Sequence, residues 1–342
     1  MDKKYRIAIA GLGIGQFWAK GVFKRKDCDL VAVFDPAYKT RDYIDKSLFD
    51  RPGLLIAQSY DELFSAAPDV MIIASPDHLH CEQTLIALER NCHVICEKPL
   101  APTVEECKKI ISAAKAAGKF FMTGQVCRYA PGFQLAKRLV DEGRIGEIAC
   151  ISSQYAHNYH NAAGHDQWRK DPQIGRETFL GGGCHAMDLM RWIVGEPESI
   201  FCVENHLLMP DWPKPDSAFA VIKFHSGAIG KLFVSSGVNA PYSMRTEIYG
   251  TKGTIICDNT SDHLQIRECT LEDSGAKGDF AKIPVKIANH NFESEFNEFI
   301  DNLKNNTPPA TDAVEGMKTV AFAQAGIASA RSGMPVKISE YL

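Results

Sequence analysis

Residues 5–35 restrict the folds open to this chain more than any other stretch. A β-rich run at 5–10 (YRIAIA) is followed at once by Gly11-Leu12-Gly13-Ile14-Gly15 and then by Gln16-Phe17-Trp18-Ala19-Lys20, which can open a helix. Glycines at such a junction let the backbone turn tightly and approach a pyrophosphate, which the free N–H groups and dipole of the helix N-terminus then stabilise. The usual fingerprint is G-x-G-x-x-G. Here it is G-x-G-x-G, one residue shorter. The next apolar run, 30–34, ends in Asp35, about 20 residues after the last glycine, where a carboxylate can accept a hydrogen bond from a ribose 2′-OH. Asp35 would repel a 2′-phosphate and Pro36 rather than Arg follows it, so NAD is favoured over NADP; Lys39 and Arg41 keep NADP as the minority reading.

The alternation continues to residue 124. Strands are expected at 70–74, 93–96 and 120–123, and helices at 60–66, 81–90 and 104–117. Strands interleaved with helices of this length build a parallel sheet with right-handed crossovers. Ligands bind such sheets at the carboxyl ends of the strands. Two loops fall there. One is Ser75-Pro76-Asp77-His78-Leu79-His80, whose histidines are either helix-cap residues or cofactor contacts. The other is Glu97-Lys98-Pro99, where the proline restricts the residue before it and so directs the Lys98 side chain.

Beyond residue 125 the pattern changes. A helix at 133–142 precedes segments of alternating polarity at 148–155, 199–206, 218–224, 227–235, 244–249, 253–258 and 263–268, with hairpin-type turns at 225–227 and 250–253. Two helices, 291–302 and 313–330, close the chain. The expected class is α/β: an N-terminal Rossmann domain with a parallel sheet (1–124), then an α+β domain with an open, mainly antiparallel sheet (125–342). A length of 342 residues suits two domains at roughly 150 residues each.

Net charge of −4 gives no reason to expect nucleic acid or an anionic membrane as partner. No apolar run approaches the ~20 residues of a membrane span. The 11 cysteines are scattered without C-x-x-C pairs, which reads as reduced thiols of a cytoplasmic protein.

Polar, reactive residues concentrate between 155 and 192. They include Tyr155, His157, Asn158, Tyr159, His160, His165, Asp166, Trp168 and Arg169, followed by Gly181-Gly182-Gly183-Cys184-His185. The three glycines let the chain pack close to another surface and place His185 in the first turn of a helix. Zinc sites usually show tight pairs such as H-x-x-x-H on one element. The histidines at 157 and 160 do not match that pattern, so no metal is assigned, and a hydroxyl-rich substrate is expected to use these donors and acceptors.

Together these residues resemble those of the Gfo/Idh/MocA oxidoreductases, the family of glucose-fructose oxidoreductase and inositol dehydrogenase. The resemblance spans nearly the whole chain: the glycine turn at 11–15, Ser75-Pro76 with His80, Glu97-Lys98-Pro99, Arg128-Tyr129-Ala130-Pro131, Gly143-Arg144-Ile145-Gly146, His185 with Asp188, and Gly333-Met334-Pro335-Val336. It implies a nicotinamide cofactor, a sugar, inositol or similar polyol as substrate, and homodimers or homotetramers built through the face of the C-terminal sheet. By family position, Gly11, Leu12, Gly13, Ile14, Gly15, Asp35, Ser75, Pro76, His80, Glu97, Lys98 and Gln125 would line the cofactor, with Trp168 and Arg169 reaching it from the second domain. Lys98, Arg128, Tyr155, His157, Asp166 and His185 would meet the substrate.

Oxidising a secondary alcohol requires hydride loss to nicotinamide and loss of the hydroxyl proton, so a base must sit within about 3 Å of that oxygen. His185 is the expected base, since the ordinary imidazole pKa lies near ~6.5, and Lys98 is the second catalytic group. Many inositol dehydrogenase-like members carry Asp four residues before this His, where this chain has Gly181. Asp166 or Asp188 would then orient His185, or Lys98 would carry more of the proton transfer, and glycosides or other sugars stand beside inositol as substrates. Two alternatives remain: a redox-assisted glycosidase or lyase that retains NAD and acts through a 3-keto intermediate, and a non-catalytic dinucleotide-binding regulator.

Overall fold

The computed structural model describes residues 4–161, 168–269, 278–287 and 290–342, and its chain forms two compact units. In the first, strands β1 (Tyr5–Ala10), β2 (Cys28–Phe34), β3 (Leu55–Ile56), β4 (Val70–Ile73), β5 (His93–Glu97) and β6 (Phe121–Gly124) form a six-stranded sheet in the order β3-β2-β1-β4-β5-β6. Every pairing in it is parallel. This is the expected Rossmann arrangement, and the order reverses between β1 and β4, the point where such sheets bind ligands. Ile7, Ile9, Val70, Met71, Ile72, Val94 and Ile95 are fully buried, which explains why these strands read as continuous apolar runs rather than alternating ones.

Helices α1 (Leu12–Lys24), α2 (His80–Glu89) and α3 (Val104–Ala117) supply crossovers. Thr103 opens α3 with a capping box, its hydroxyl accepting from Glu106 N and the Glu106 carboxylate accepting from Thr103 N, both at 3.2 Å. Residues 61–66 are a 3-10 turn instead of the α-helix expected over 60–66. The segment is stopped by Ala67, in a left-handed conformation at φ 45°, and by Pro68 before a regular helix can extend.

In the second unit, α4 (Pro131–Asp141) leads into β7 (Ile148–Ala156), the short helix α5 (Thr178–Gly181) and α6 (Gly183–Val194). Strands β8 (Pro197–Asn205), β9 (Ser217–Phe224), β10 (Ile229–Ser235), β11 (Arg245–Gly250), β12 (Gly253–Asp258), β13 (His263–Glu268), β14 (Ala281–Pro284) and β15 (Val336–Lys337) join β7 in a nine-stranded sheet. Its order is β14-β13-β12-β11-β7-β10-β9-β8-β15, and all pairs are antiparallel except β10 with β7.

One face of this sheet is covered by α6 and is strongly apolar. The other presents an exposed apolar row on β8, β9 and β10: Phe201, Val203, Phe219, Val221 and Ile229, with Phe219 51% and Val221 60% exposed. The row is continuous across the strands, because Phe201 pairs with Val221 and Val203 with Phe219. Helix α7 (Phe292–Asn305) and residues to Lys318, including the opening of α8 (Ala313–Ser332), belong to the first unit, and the chain from Thr319 onward belongs to the second. Within the first unit α7 packs on α1, with Phe292 stacked on Phe17 and edge-on to Trp18.

Candidate functional site

At the end of β1 the chain enters Gly11 with φ 84°, and a Cβ built there would lie 2.4 Å from the Ala74 carbonyl oxygen at the end of β4. Only glycine fits this conformation and this approach. Gly15 faces the same kind of limit, its Cβ position 2.7 Å from Ile9 Cγ2, so α1 packs closely on β1. Gly13 differs: its nearest neighbour would be the Tyr43 ring at 3.7 Å, an ordinary contact. The protein's own packing therefore demands the first and third glycines, while the second leaves the opening turn of α1 bare for a ligand to approach. No residue of that turn is itself acidic, and the N–H groups beyond Leu12 remain at the positive end of the helix. Leu12 is buried and Ile14 exposed.

Asp35 follows β2 and is almost fully buried. It accepts from Leu12 N (2.9 Å, Oδ2) and Ala37 N (2.9 Å, Oδ1), and Arg41 stands 4.0 Å away. Its carboxylate is thus locked against the glycine turn, with lone pairs left for ribose hydroxyls. These residues fit an NAD cradle.

The other carboxyl-edge loops are tied to one another. Ser75 Oγ donates to Gln83 Oε1 at 2.6 Å, and Pro76 precedes a 3-10 turn at Asp77–Leu79. His80 is fully buried, with Nδ1 2.9 Å from the Pro99 carbonyl oxygen and Nε2 2.9 Å from the Ser75 carbonyl oxygen. A carbonyl only accepts, so both ring nitrogens carry protons and the ring is an imidazolium. Burial alone would push it down, but Cys96, Asp77 and the Pro99 carbonyl outweigh that and raise its pKa to about 10. His80, expected to line the cofactor, joins the loop after β4 to the loop after β5 through these two contacts.

Glu97 ends β5, buried, and accepts from Trp18 Nε1 (2.8 Å) and Lys98 N (3.1 Å); burial raises its carboxyl above the usual range, against the pull of Lys98. Lys98 follows, half-buried, before a cis peptide to Pro99. Gln125 is buried after β6, and its Nε2 donates to the Glu315 carbonyl oxygen at 3.4 Å.

In the second unit His185 is the third residue of α6 and is 2% exposed. Its Nδ1 lies 3.3 Å from Cys127 Sγ and its Nε2 3.3 Å from His290 Nε2. One donor atom from each of Cys127, His185 and His290 falls within 4.8 Å of the other two. The Tyr155 ring stacks on His185 at 6.0 Å, and its hydroxyl faces His157 Nδ1 (3.3 Å) and Tyr159 Oη (3.2 Å). Gly182 permits this packing: a Cβ there would lie 2.2 Å from Tyr155 Cε1. The glycines expected to precede the helix are themselves helical, Gly181 closing α5 and Gly183 opening α6. A Cβ at Gly181 would meet Arg176 Nε at 2.3 Å, so the Arg176 side chain fills the space a carboxylate at 181 would need.

Asp188 does not orient His185 either. It holds Arg128 in a bidentate pair, Nε–Oδ2 2.7 Å and Nη2–Oδ1 2.6 Å, both side chains buried. Arg128, expected to contact substrate, is therefore committed to the core of its own unit. Trp168 and Arg169 sit in a 3-10 turn of the second unit, with the Arg169 guanidinium 4.4 Å from the centre of the Trp168 ring. Asp166 and His165 lie outside the described residues. Sequence reasoning passed over Cys127 and His290 as neighbours of His185; they stand 58 and 105 residues from it, and no local spacing links them.

Comparison with known proteins covers nearly the whole chain. Residues 5–125 match the family model described as an oxidoreductase family, NAD-binding Rossmann fold, and residues 137–338 match its C-terminal alpha/beta domain. The chain is similar to the myo-inositol 2-dehydrogenase of Thermotoga maritima (26% identical, covering 98% of this chain and 99% of the relative). It is also similar to the 2,7-anhydro-N-acetylneuraminate hydratase of Escherichia coli (27% identical, 97% of each). A crystal structure of levoglucosan dehydrogenase in complex with NADH and levoglucosan shares the fold, with a TM-score of 0.84 at 21% identity over 98% of this chain and 99% of that one.

Proposed function

Since the chain belongs to the Gfo/Idh/MocA oxidoreductase family, we propose that it is an NAD-dependent oxidoreductase acting on a secondary alcohol of a sugar, glycoside or cyclitol. The observation that carries this reading is the glycine turn at the reversal point of the first sheet, with Gly11 against Ala74, an open first turn at Gly13 and Asp35 locked at the end of β2. Bound NAD+ supplies the hydride acceptor. Gly11, Gly13 and Gly15 hold the pyrophosphate, Asp35 the ribose, and Ser75, Pro76, Glu97 and Gln125 shape the rest of the cradle; Trp168 and Arg169 contribute from the second unit. Lys98 and His185 act on the reacting hydroxyl, Lys98 by donating to its oxygen and His185 by handling the proton. Tyr155 and His157, with Asp166, recognise the other hydroxyls.

The test is a panel of sugars, glycosides and inositols incubated with NAD+, read by the absorbance of NADH. At least one class should give turnover, and none doing so under any condition overturns a net dehydrogenase. The hydratase relative favours one second reading, in which oxidation at C3 permits elimination and the cofactor is regenerated in place. That chemistry consumes a glycoside without accumulating NADH. A non-catalytic regulator has no comparable support, since the named relatives are catalysts.

Exchanging Asp35 for Ser should weaken NAD+ by roughly tenfold and NADP+ much less, because the lost carboxylate binds the ribose diol and repels a 2′-phosphate. Equal losses in binding titrations with the two dinucleotides would mean that the ribose is read elsewhere. The exposed row Phe201, Val203, Phe219, Val221 and Ile229 supports a homodimer or homotetramer through the second sheet. The 11 unpaired cysteines suit the cytoplasm. No described helix is long and apolar enough to cross a membrane.

A further inference from the structure

We infer that His80 is a positioning residue for the reaction, a buried double donor that fixes the loop carrying Lys98 against the loop seated on the glycine turn. The inference rests on the hydride-transfer reading above, since Lys98 is the group whose position it sets. His80 is fully buried, so it acts through the backbone it holds.

The two ring nitrogens serve different parts of the cradle. Nε2 lies 2.9 Å from the Ser75 carbonyl oxygen, and Ser75 adjoins the glycine turn, where a Cβ at Gly11 would fall 2.6 Å from Ser75 N. Nδ1 lies 2.9 Å from the carbonyl oxygen of Pro99, the residue directly after Lys98. Proline has no N–H, so its carbonyl is the one backbone polar group by which Pro99 can be held. From the other side Glu97 Oε2 accepts from Lys98 N at 3.1 Å, while Glu97 Oε1 accepts from Trp18 Nε1 of α1 at 2.8 Å. Lys98 is thus fixed at both flanks, by Glu97 before it and by His80 after it.

Among short side chains, an imidazolium is the one that offers two N–H donors on opposite sides of a single rigid ring. The fold keeps that charge in an unfavourable place. His80 is the first residue of α2, where the helix dipole opposes a cation, and burial opposes it again. A residue that only filled this space would be neutral. Asp77, in the turn before α2, and Cys96, on β5, offset the burial from their two sides. Burial also raises the Glu97 carboxyl, with Lys98 first and His80 among the groups that oppose the rise.

The ring ends therefore divide the work. The Nδ1 end sets turnover by aiming Lys98, since a displacement of about 1 Å at a reacting group costs on the order of 10²-fold. The Nε2 end sets NAD+ affinity by holding Ser75 beside the glycine turn.

The experiment compares His80→Asn and His80→Gln in the full-length enzyme. Both variants are neutral and lose the same charge, so general loosening is common to the two. The Asn amide nitrogen falls at the Nδ1 position and can still donate to Pro99, whereas that of Gln reaches the Nε2 position and can still donate to Ser75. His80→Gln should lower kcat by about 10–100-fold and change NAD+ affinity only a few-fold. His80→Asn should weaken NAD+ by about tenfold, the worth of one hydrogen bond to a charged group, and lower kcat much less. Equal losses in the two variants, or no loss in either, overturn the assignment. Where neither variant folds, wild-type protein labelled with nitrogen-15 in its histidines decides. One ring should keep both nitrogens protonated at a pH of about 8.5, roughly two units above the ordinary imidazole pKa. Spectra in which every ring has a bare nitrogen overturn the double donor. A wild-type protein that turns over no alcohol overturns the hydride reading instead, and the ring spectrum with the NAD+ titration of His80→Asn still decides the role of His80.

Discussion

Lys98→Ala is expected to lower kcat by about 10²–10⁴-fold, the range for loss of a positioned proton-transfer group. NAD+ affinity should change only a few-fold. The backbone around Lys98 is held independently of its side chain: before it, Glu97 accepts from Lys98 N and Trp18; after it, the Pro99 carbonyl accepts from buried His80. Truncation therefore leaves the loop in place, and a half-buried lysine removed from a fixed loop costs little stability. Lys98→Met, which keeps the stem and loses the amine, should be as inactive as the alanine variant. Steady-state rates together with NAD+ titration decide the matter. Unchanged kcat in either variant removes Lys98 from the chemistry, and a collapse of NAD+ binding with normal kcat at saturation makes it a cofactor residue only.

What could be read from the sequence was what local chemistry determines. The Gly11–Gly15 turn, the strand ending in Asp35 and the apolar runs of the parallel sheet each carry their signal within a few residues, and the first sheet follows from them. The second sheet was legible from the alternation of β9 and β10, whose burial reads in-out along the strand. Strands β3 and β15, two residues each, and β14, four residues, are too short to carry a period.

Side-chain pairing across long separations was the other blind spot. His80 looked like a cofactor contact because it follows Ser75-Pro76, but which atoms meet its ring nitrogens depends on a loop 19 residues later. Gly181 looked like a lost partner for His185, and although Arg176 is only five residues away, the sequence does not show that its side chain lies where a Cβ at 181 would be. The thiol and the second imidazole beside His185 come from positions with no periodic relation to it, so neither neighbour could be read from the sequence around it.

The same long-range pairing sets the largest expected effect on stability. Asp188→Ala should destabilise the second unit by about 3–5 kcal/mol, the cost of stranding a buried charge. Asp188 accepts two hydrogen bonds from Arg128 at 2.6 and 2.7 Å and one from Thr319 Oγ1 at 3.2 Å, and Arg191 lies 3.8 Å away. Arg191 keeps Glu196 and Thr319 as partners, so the stranded group is chiefly Arg128. Denaturant unfolding followed in the second unit measures the loss. Replacing both partners with apolar residues of similar volume, Arg128→Met with Asp188→Leu, should recover most of it, because desolvation of two ions largely offsets their attraction. Recovery would show that the pair serves register within the unit, and activity retained by the double variant would remove Arg128 from substrate recognition. A single Arg128→Met that abolishes turnover while leaving unfolding unchanged would return Arg128 to the substrate, where the sequence alone had placed it.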